Sequence, residues 1–364
     1  MRRIADVDEQ VLAGVRVLEI GGGIPAAFAT HFMAGFGADV VRTEGAAGAM
    51  TSDEEIYLLP GKRRVTAGRA ELQHLAMAAD IIVEDGRPGA LADLGLDPLA
   101  VRRERPGLVI VSITPFGQTG PYAQYEATNI VSFAMGGLMS LTGSPSREPL
   151  VNGGSQALYL GGMNGFGAAV TAYYGSLVTG EGDWIDISLQ ECMAGMLELY
   201  GPMSAATGTP GHLRSGNHLR ATWGIYPCVD GFVGICALER QVPALFKLVG
   251  VPNEERFTDP YQRPEHDDEL QAIMYEWAGR FTKEEILAFS PQYKVPLGAV
   301  LTPGDLLKSE NLRERGAFDT IESSAGKARV PGRPFEGFPW AAGELHEPGA
   351  DTTTVLSEWR EAHA

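Results

Sequence analysis

The chain has 364 residues, 44% of them hydrophobic and 21% charged, with 29 Lys plus Arg against 46 Asp plus Glu for a net charge of −17. That length suits two ordinary domains, and the composition excludes a disordered chain. The negative balance argues against partners such as nucleic acid or an anionic membrane surface. The 46 glycines are without the period of a collagen and call for many tight turns and close backbone approaches.

Val15 to Ile20 is a β-branched run ending in Gly21-Gly22-Gly23, which reads as a strand and a turn. Ala26 to Phe36 has helical spacing, and Asp39 to Thr43 is a second strand. A helix over 70–79, strands over 81–83 and 108–113, and a strand over 184–189 continue the alternation. Such alternation implies βαβ units and a mostly parallel sheet. Ala157 to Val178 is uncharged for 22 residues, but its five glycines favour a buried helix over a membrane span. Gly201 to Gly216 reads as a linker, Gly224 to Cys236 as a hairpin, and 253–289 as helices with an acidic solvated face. Thr352 to His363 closes the chain as a helix. Cys192, Cys228 and Cys236 are sparse and odd in number, the pattern of reduced thiols. The first residues lack an apolar leader, so the expected location is cytoplasmic.

Three local patterns carry chemistry. Gly21-Gly22-Gly23 after a strand, with Glu44 ending the next, loosely matches a dinucleotide fingerprint. Pro25 removes an N–H donor from it, so the reading is a turn open to another ligand, with no NAD. Gly153-Gly154-Ser155-Gln156-Ala157 is one residue short of a nucleophile elbow, with His212 and His218 downstream. The two histidines have no Cys or carboxylate beside them, so no metal site is expected. Arg42, Lys62, Arg63, Arg64, Arg87, Arg102, Arg103 and Arg105 crowd the first 105 residues. They fit either a docking patch for an anion on an acidic protein or simple surface solubility.

Gly35-Phe-Gly-Ala-Asp-Val-Val-Arg-Thr-Glu44, Gly61-Lys-Arg-Arg-Val65 and Val83-Glu-Asp-Gly-Arg-Pro-Gly89 resemble motifs of the family III CoA-transferases. So do Phe116 to Tyr122, Gly137 to Gly143 and Thr179 to Gly182, with Tyr226 to Gly231 and Ala350 to Leu356 as later landmarks. The carnitine and formyl-CoA transferases (the CaiB/BaiF group) and the α-methylacyl-CoA racemases share this pattern. The resemblance implies an α/β fold. A large Rossmann-like domain with a parallel sheet would form from residues 1–200 and 315–364. A linker over 201–223 and a smaller α+β domain over 224–314 would follow, and two chains would interlock as a dimer.

The resemblance also implies acyl-CoA and carboxylic acids as substrates, and an Asp nucleophile. That Asp falls at Ala157 or Leu158 here, and no Asp or Glu occurs between Pro149 and Gly180. Ser155, Gln156 and Tyr159 are the nearby candidates, with Asn152 beside them. The racemases' catalytic His corresponds to Thr128, so their acid–base pair is missing as well. Arg42, Lys62, Arg63, Arg87, Pro25, Ala26, Leu59 and Asp85 are the implied CoA contacts. Asp85-Gly86 replaces the family's Asn–aromatic pair, and Asp93 reverses a common Arg. The resulting expectation is a subunit without the nucleophile, working as a homo- or heterodimer or a higher heteromer with an Asp-bearing paralogue. A homodimeric hydrolase, lyase or isomerase, or a protein that only binds CoA, are the alternatives.

Overall fold

A computed structural model describes residues 10–44, 50–198, 200–208, 214–324 and 326–361. The chain divides into two compact units. One holds 1–139, 151–209 and 311–364, and the other 140–150 and 210–310.

The first unit is built on six parallel strands: β1 (Arg16–Ile20), β2 (Asp39–Thr43), β3 (Lys62–Val65), β4 (Ile81–Glu84), β5 (Val109–Thr114) and β6 (Trp184–Ser188). Their order is β3-β2-β1-β4-β5-β6, with Val17 opposite Val40 on one side and Ile81 on the other. The order reverses between β1 and β4, where open α/β sheets place their ligands. Helix α1 (Ile24–Gly35) follows β1, α2 (Ser52–Leu58) precedes β3, and α3 (Arg69–Ala78) precedes β4. Short α4 (Ala90–Asp93) and α5 (Pro98–Glu104) lead into β5. Then α6 (Asn129–Met135), α7 (Gln156–Thr179), α8 (Leu189–Ala194) and α9 (Tyr200–Thr207) complete this part.

Both sheet faces are covered, which is why the inner strands read as apolar throughout. Val17, Ile81, Val83, Val109 and Val111 pack toward α1. Leu18, Ile82 and Ile110 pack toward α3, α5 and the closing helix Thr352–Glu361. The uncharged α7 is a packing helix, because a Cβ at Gly162 would stand 2.6 Å from the Pro25 carbonyl and 2.9 Å from Phe28 Cβ. Among the described residues no helix is long and apolar enough to cross a membrane.

Two segments differ from the sequence expectation. Lys62–Val65, read as part of a basic cluster, is an edge strand whose charged side chains find partners on neighbouring elements. Within 201–223, the turn residues do not prevent a helix to Thr207 or a strand at His218–Arg220, while 209–213 lie outside the described residues.

The second unit holds an antiparallel sheet of β7 (His218–Arg220), β8 (Trp223–Cys228), β9 (Gly231–Cys236) and β10 (Leu297–Ala299), ordered β10-β9-β8-β7. Helices α10 (Val242–Val249), α11 (Glu255–Thr258), α12 (Asp267–Ala278) and α13 (Lys283–Tyr293) follow β9. Leu245, Leu270, Met274, Trp277 and Ile286 bury one sheet face against Tyr226, Val233 and Ile235. Glu254, Glu255, Glu265, Asp268, Glu276 and Glu284 stay exposed, as a solvated acidic face requires.

Candidate active site

At the point where the sheet order reverses, Gly21-Gly22-Gly23 leads from β1 into α1. Asp85, just past β4, turns its carboxylate onto the start of that helix. It accepts from the Gly23 N–H at 3.3 Å and the Ala26 N–H at 3.1 Å. A helix N-terminus attracts anions, and here the chain supplies its own. A Cβ at Gly21 would lie 2.1 Å from Asp85 Oδ1, and one at Gly23 would lie 2.4 Å from Oδ2. These glycines therefore make room for Asp85. Burial pushes the Asp85 carboxyl up to about 6, against the pull of the Ala26 amide.

Beneath this helix lies a sealed ion cluster. Glu19 on β1 is 0% exposed, and its carboxylate pairs with Arg42 of β2 and, at 2.9 Å, with Lys62 of β3. Lys62 donates further to the Ala27 carbonyl at 2.7 Å and to Thr30 Oγ1 at 2.8 Å. All three ammonium protons are engaged. Burial alone would raise Glu19, but Arg42 and Lys62 hold it down at about 2.

This cluster corrects the expectation that Arg42 and Lys62 meet CoA. Both face the interior, on a carboxylate of their own chain. Pro25 and Ala26 are buried in the first turn of α1, and Leu59 is packed in the core. Arg63 pairs with Asp39 and, at 2.5 Å, with Glu358. Arg87 is exposed and pairs with Asp93. Of the eight implied contacts, Arg87 alone is freely exposed, and Arg63 and Asp85 are partly so. The pairings of Arg42 and Lys62 were hidden in sequence because Glu19 lies 23 and 43 residues away.

Next to the reversal, a cavity of about 330 Å³ is lined by Glu84, Pro88, Ser112, Gln118 and Trp184. Glu84 is 2% exposed, and burial pushes its carboxyl up to about 7. Its Oε2 accepts from the Gly86 N–H at 2.7 Å, while Trp184 Nε1 donates to Ser112 Oγ at 3.0 Å.

The start of α7 is where the nucleophile was expected. Asn129, the first residue of α6, fixes it: Oδ1 accepts from the Ala157 N–H at 2.9 Å, and Nδ2 donates to the Gly154 carbonyl at 3.2 Å. A lone Asn gave no sequence signal for this role. Ala157 is 0% exposed beside Phe133 and Met193. Leu158 and Tyr159 are half-buried and lean on the α1 side of the core. Ser155 is the half-buried residue before the helix, and Gln156 is exposed. The segment before Ser155 is not a strand, so the strained strand-to-helix elbow is absent. His218 belongs to the second unit, packed on Tyr226 and Tyr275, and His212 lies outside the described residues. Among the described residues no group of three or more His, Cys, Asp or Glu could hold a metal ion.

The family model for CoA-transferase family III matches residues 12–59 and 60–349. The chain belongs to CoA-transferase family III. Succinate–glutarate CoA-transferase of Agrobacterium fabrum is 27% identical over 353 residues, spanning 88% of this chain and 87% of that protein. The alpha subunit of succinyl-CoA–L-malate CoA-transferase of Chloroflexus aurantiacus is 26% identical over 350 residues, covering 88% of this chain and 81% of the subunit. The beta subunit of that enzyme is 27% identical over 304 residues, covering 76% of this chain and 75% of its own. A crystal structure of a CaiB/BaiF family protein from Brucella suis matches with a TM-score of 0.85 and 25% identity, over 97% of this chain and all of that one. Family III CoA-transferases act on CoA thioesters, and this chain keeps their α/β fold.

Proposed function

We propose that this chain is the subunit without the nucleophile in a heteromeric family III CoA-transferase. The observation that carries this reading is the stretch 149–180, which holds no carboxylate although the surrounding fold is complete. Transfer in this family runs through covalent catalysis. A carboxylate attacks the thioester carbon, CoA leaves as thiolate, and a mixed anhydride forms. The thiolate then attacks the aspartyl carbonyl, releasing the first acid and leaving an aspartyl thioester. The acceptor acid reverses both steps.

Ala157 and Leu158 cannot form either bond. Ser155 and Gln156 do not replace the Asp, because an amide is a poor nucleophile and the hydroxyl has no base among the described contacts. The missing carboxylate would come from an Asp-bearing partner chain. That alpha and beta subunits stand among the relatives supports a shared enzyme. This chain would contribute architecture and pocket walls, with Arg87 as its candidate contact to CoA phosphates.

The test is CoA exchange between succinyl-CoA and an isotope-labelled succinate. The chain alone is expected to give no exchange above background, and the assembly with its partner to exceed it by about 10⁴-fold or more, the scale of a lost nucleophile. Steady exchange by the pure single chain would remove the reading.

A further inference from the structure

Arg263, in the second unit, stands between two cavities that share Arg263, Glu239 and Pro260 in their walls. One, of about 460 Å³, is also lined by Arg220, Thr222 and Asp267. The other, of about 340 Å³, is also lined by Val242, Phe246, Lys247 and Val251. The Arg263 guanidinium is a fixed partition. It donates to Glu239 at 2.8 and 2.9 Å, to the Phe257 carbonyl at 2.8 Å and to the Thr258 carbonyl at 3.2 Å, and it lies 5.5 Å from the centre of the Phe246 ring.

The polar groups left over select a ligand. Thr222 is 1% exposed, and its Oγ1 meets no hydrogen-bond partner among the described residues. Buried hydroxyls ordinarily have one. Arg220, at the end of β7, is half-exposed, and its guanidinium donates no hydrogen bond among the described residues; Glu239 stands 4.0 Å away. The carboxylates on the same walls are already engaged. Arg263 holds Glu239, while Asp267 accepts from the Ala221 N–H at 2.7 Å and from Gln271 at 2.8 Å. A free guanidinium and a free O–H donor, two positions apart on one wall, suit the two oxygens of a carboxylate. The lining holds three cations against two carboxylates, the reverse of the acidic chain around it. The second cavity, walled by apolar side chains, suits a hydrocarbon tail.

We propose that the double cavity binds an amphipathic carboxylate, its head on Arg220 and Thr222 and its tail against Val242, Phe246 and Val251. The site lies wholly within the second unit and does not rest on the CoA reading.

Calorimetry on the purified protein, in the assembly in which it is isolated, tests it with three probes. Octanoate has both parts, octanamide keeps the tail without the charge, and acetate keeps the charge without the tail. Octanoate is expected to bind about tenfold more tightly than either, or better. Arg220→Gln, at an exposed position that the fold does not need, is expected to weaken octanoate about tenfold and to leave octanamide unchanged. Thr222→Val keeps the side-chain shape and is expected to weaken octanoate about two- to tenfold without lowering the melting temperature, since the lost hydroxyl had no partner. No octanoate binding at millimolar concentration, or octanamide binding as tightly as octanoate, would overturn the assignment. So would either variant binding octanoate as the parent does.

Discussion

Replacing Glu19 with alanine is expected to lower the unfolding free energy by about 3–5 kcal/mol, because it leaves two cations buried without their counter-charge. Lys62 is 0% exposed and Arg42 4% exposed, so water cannot take the place of the carboxylate. The electrostatics agree in direction: against its burial, Arg42 and Lys62 hold the Glu19 carboxyl down at about 2. Burial lowers Lys62 to about 8 despite Glu19, so each charge in the cluster depends on its partner. The sign follows from linkage: a depressed carboxyl stabilises the fold above its unfolded value of 4.5, and the contribution is lost as pH falls through about 2. Urea titrations at pH 7 and pH 3 check both parts. A variant with Glu19→Leu, Arg42→Met and Lys62→Met together is expected to lose less than Glu19→Ala, since no charge is left unpaired. Equal losses in the two variants would mean that packing, and not charge, sets the cost.

Returning a carboxylate to α7 is expected to act in opposite ways at adjacent positions. Ala157 is fully buried against Phe133 and Met193, with its N–H held by Asn129. Ala157→Asp therefore buries an unpaired carboxylate and is expected to destabilise the protein by about 3–5 kcal/mol. Leu158 is half-buried, and an Asp there can keep its carboxylate in water at a cost of about 1–2 kcal/mol in lost packing. Leu158→Asp, incubated with succinyl-CoA, is expected to gain a CoA-sized, hydroxylamine-sensitive mass adduct that the parent never shows. Intact-protein mass spectrometry reads the adduct, and thermal melts read the difference in stability. An adduct on the Ala157 variant instead would assign the nucleophile position to the wrong residue.

The sheet was legible wherever both faces are covered. Val17, Val40, Ile81 and Val109 sit in apolar runs because helices pack on each side of them. Strand β3 was not, since Lys62-Arg63-Arg64 shows only charge in sequence. Its partners Glu19, Asp39 and Glu44 are supplied by folding from more distant positions. The same effect hid the engagement of Arg42 and Lys62 by Glu19, because a basic cluster looks alike whether it awaits an anion or already holds one. Asp85 shows the reverse. Its departure from the family's Asn was visible, but its occupation of the α1 N-terminus depends on β1 and β4 lying side by side. The absence of any Asp or Glu over 149–180 was legible in full, as an absence spread over some thirty residues needs no geometry.

The composition of the native assembly tests the central claim most directly. Native mass spectrometry of the protein drawn from its own cells is expected to show the 38.9 kDa chain together with a second, different chain of similar size. That second chain is expected to carry an Asp where this one has Leu158. A mass of twice 38.9 kDa with no other chain, from a preparation that exchanges CoA, would contradict the account.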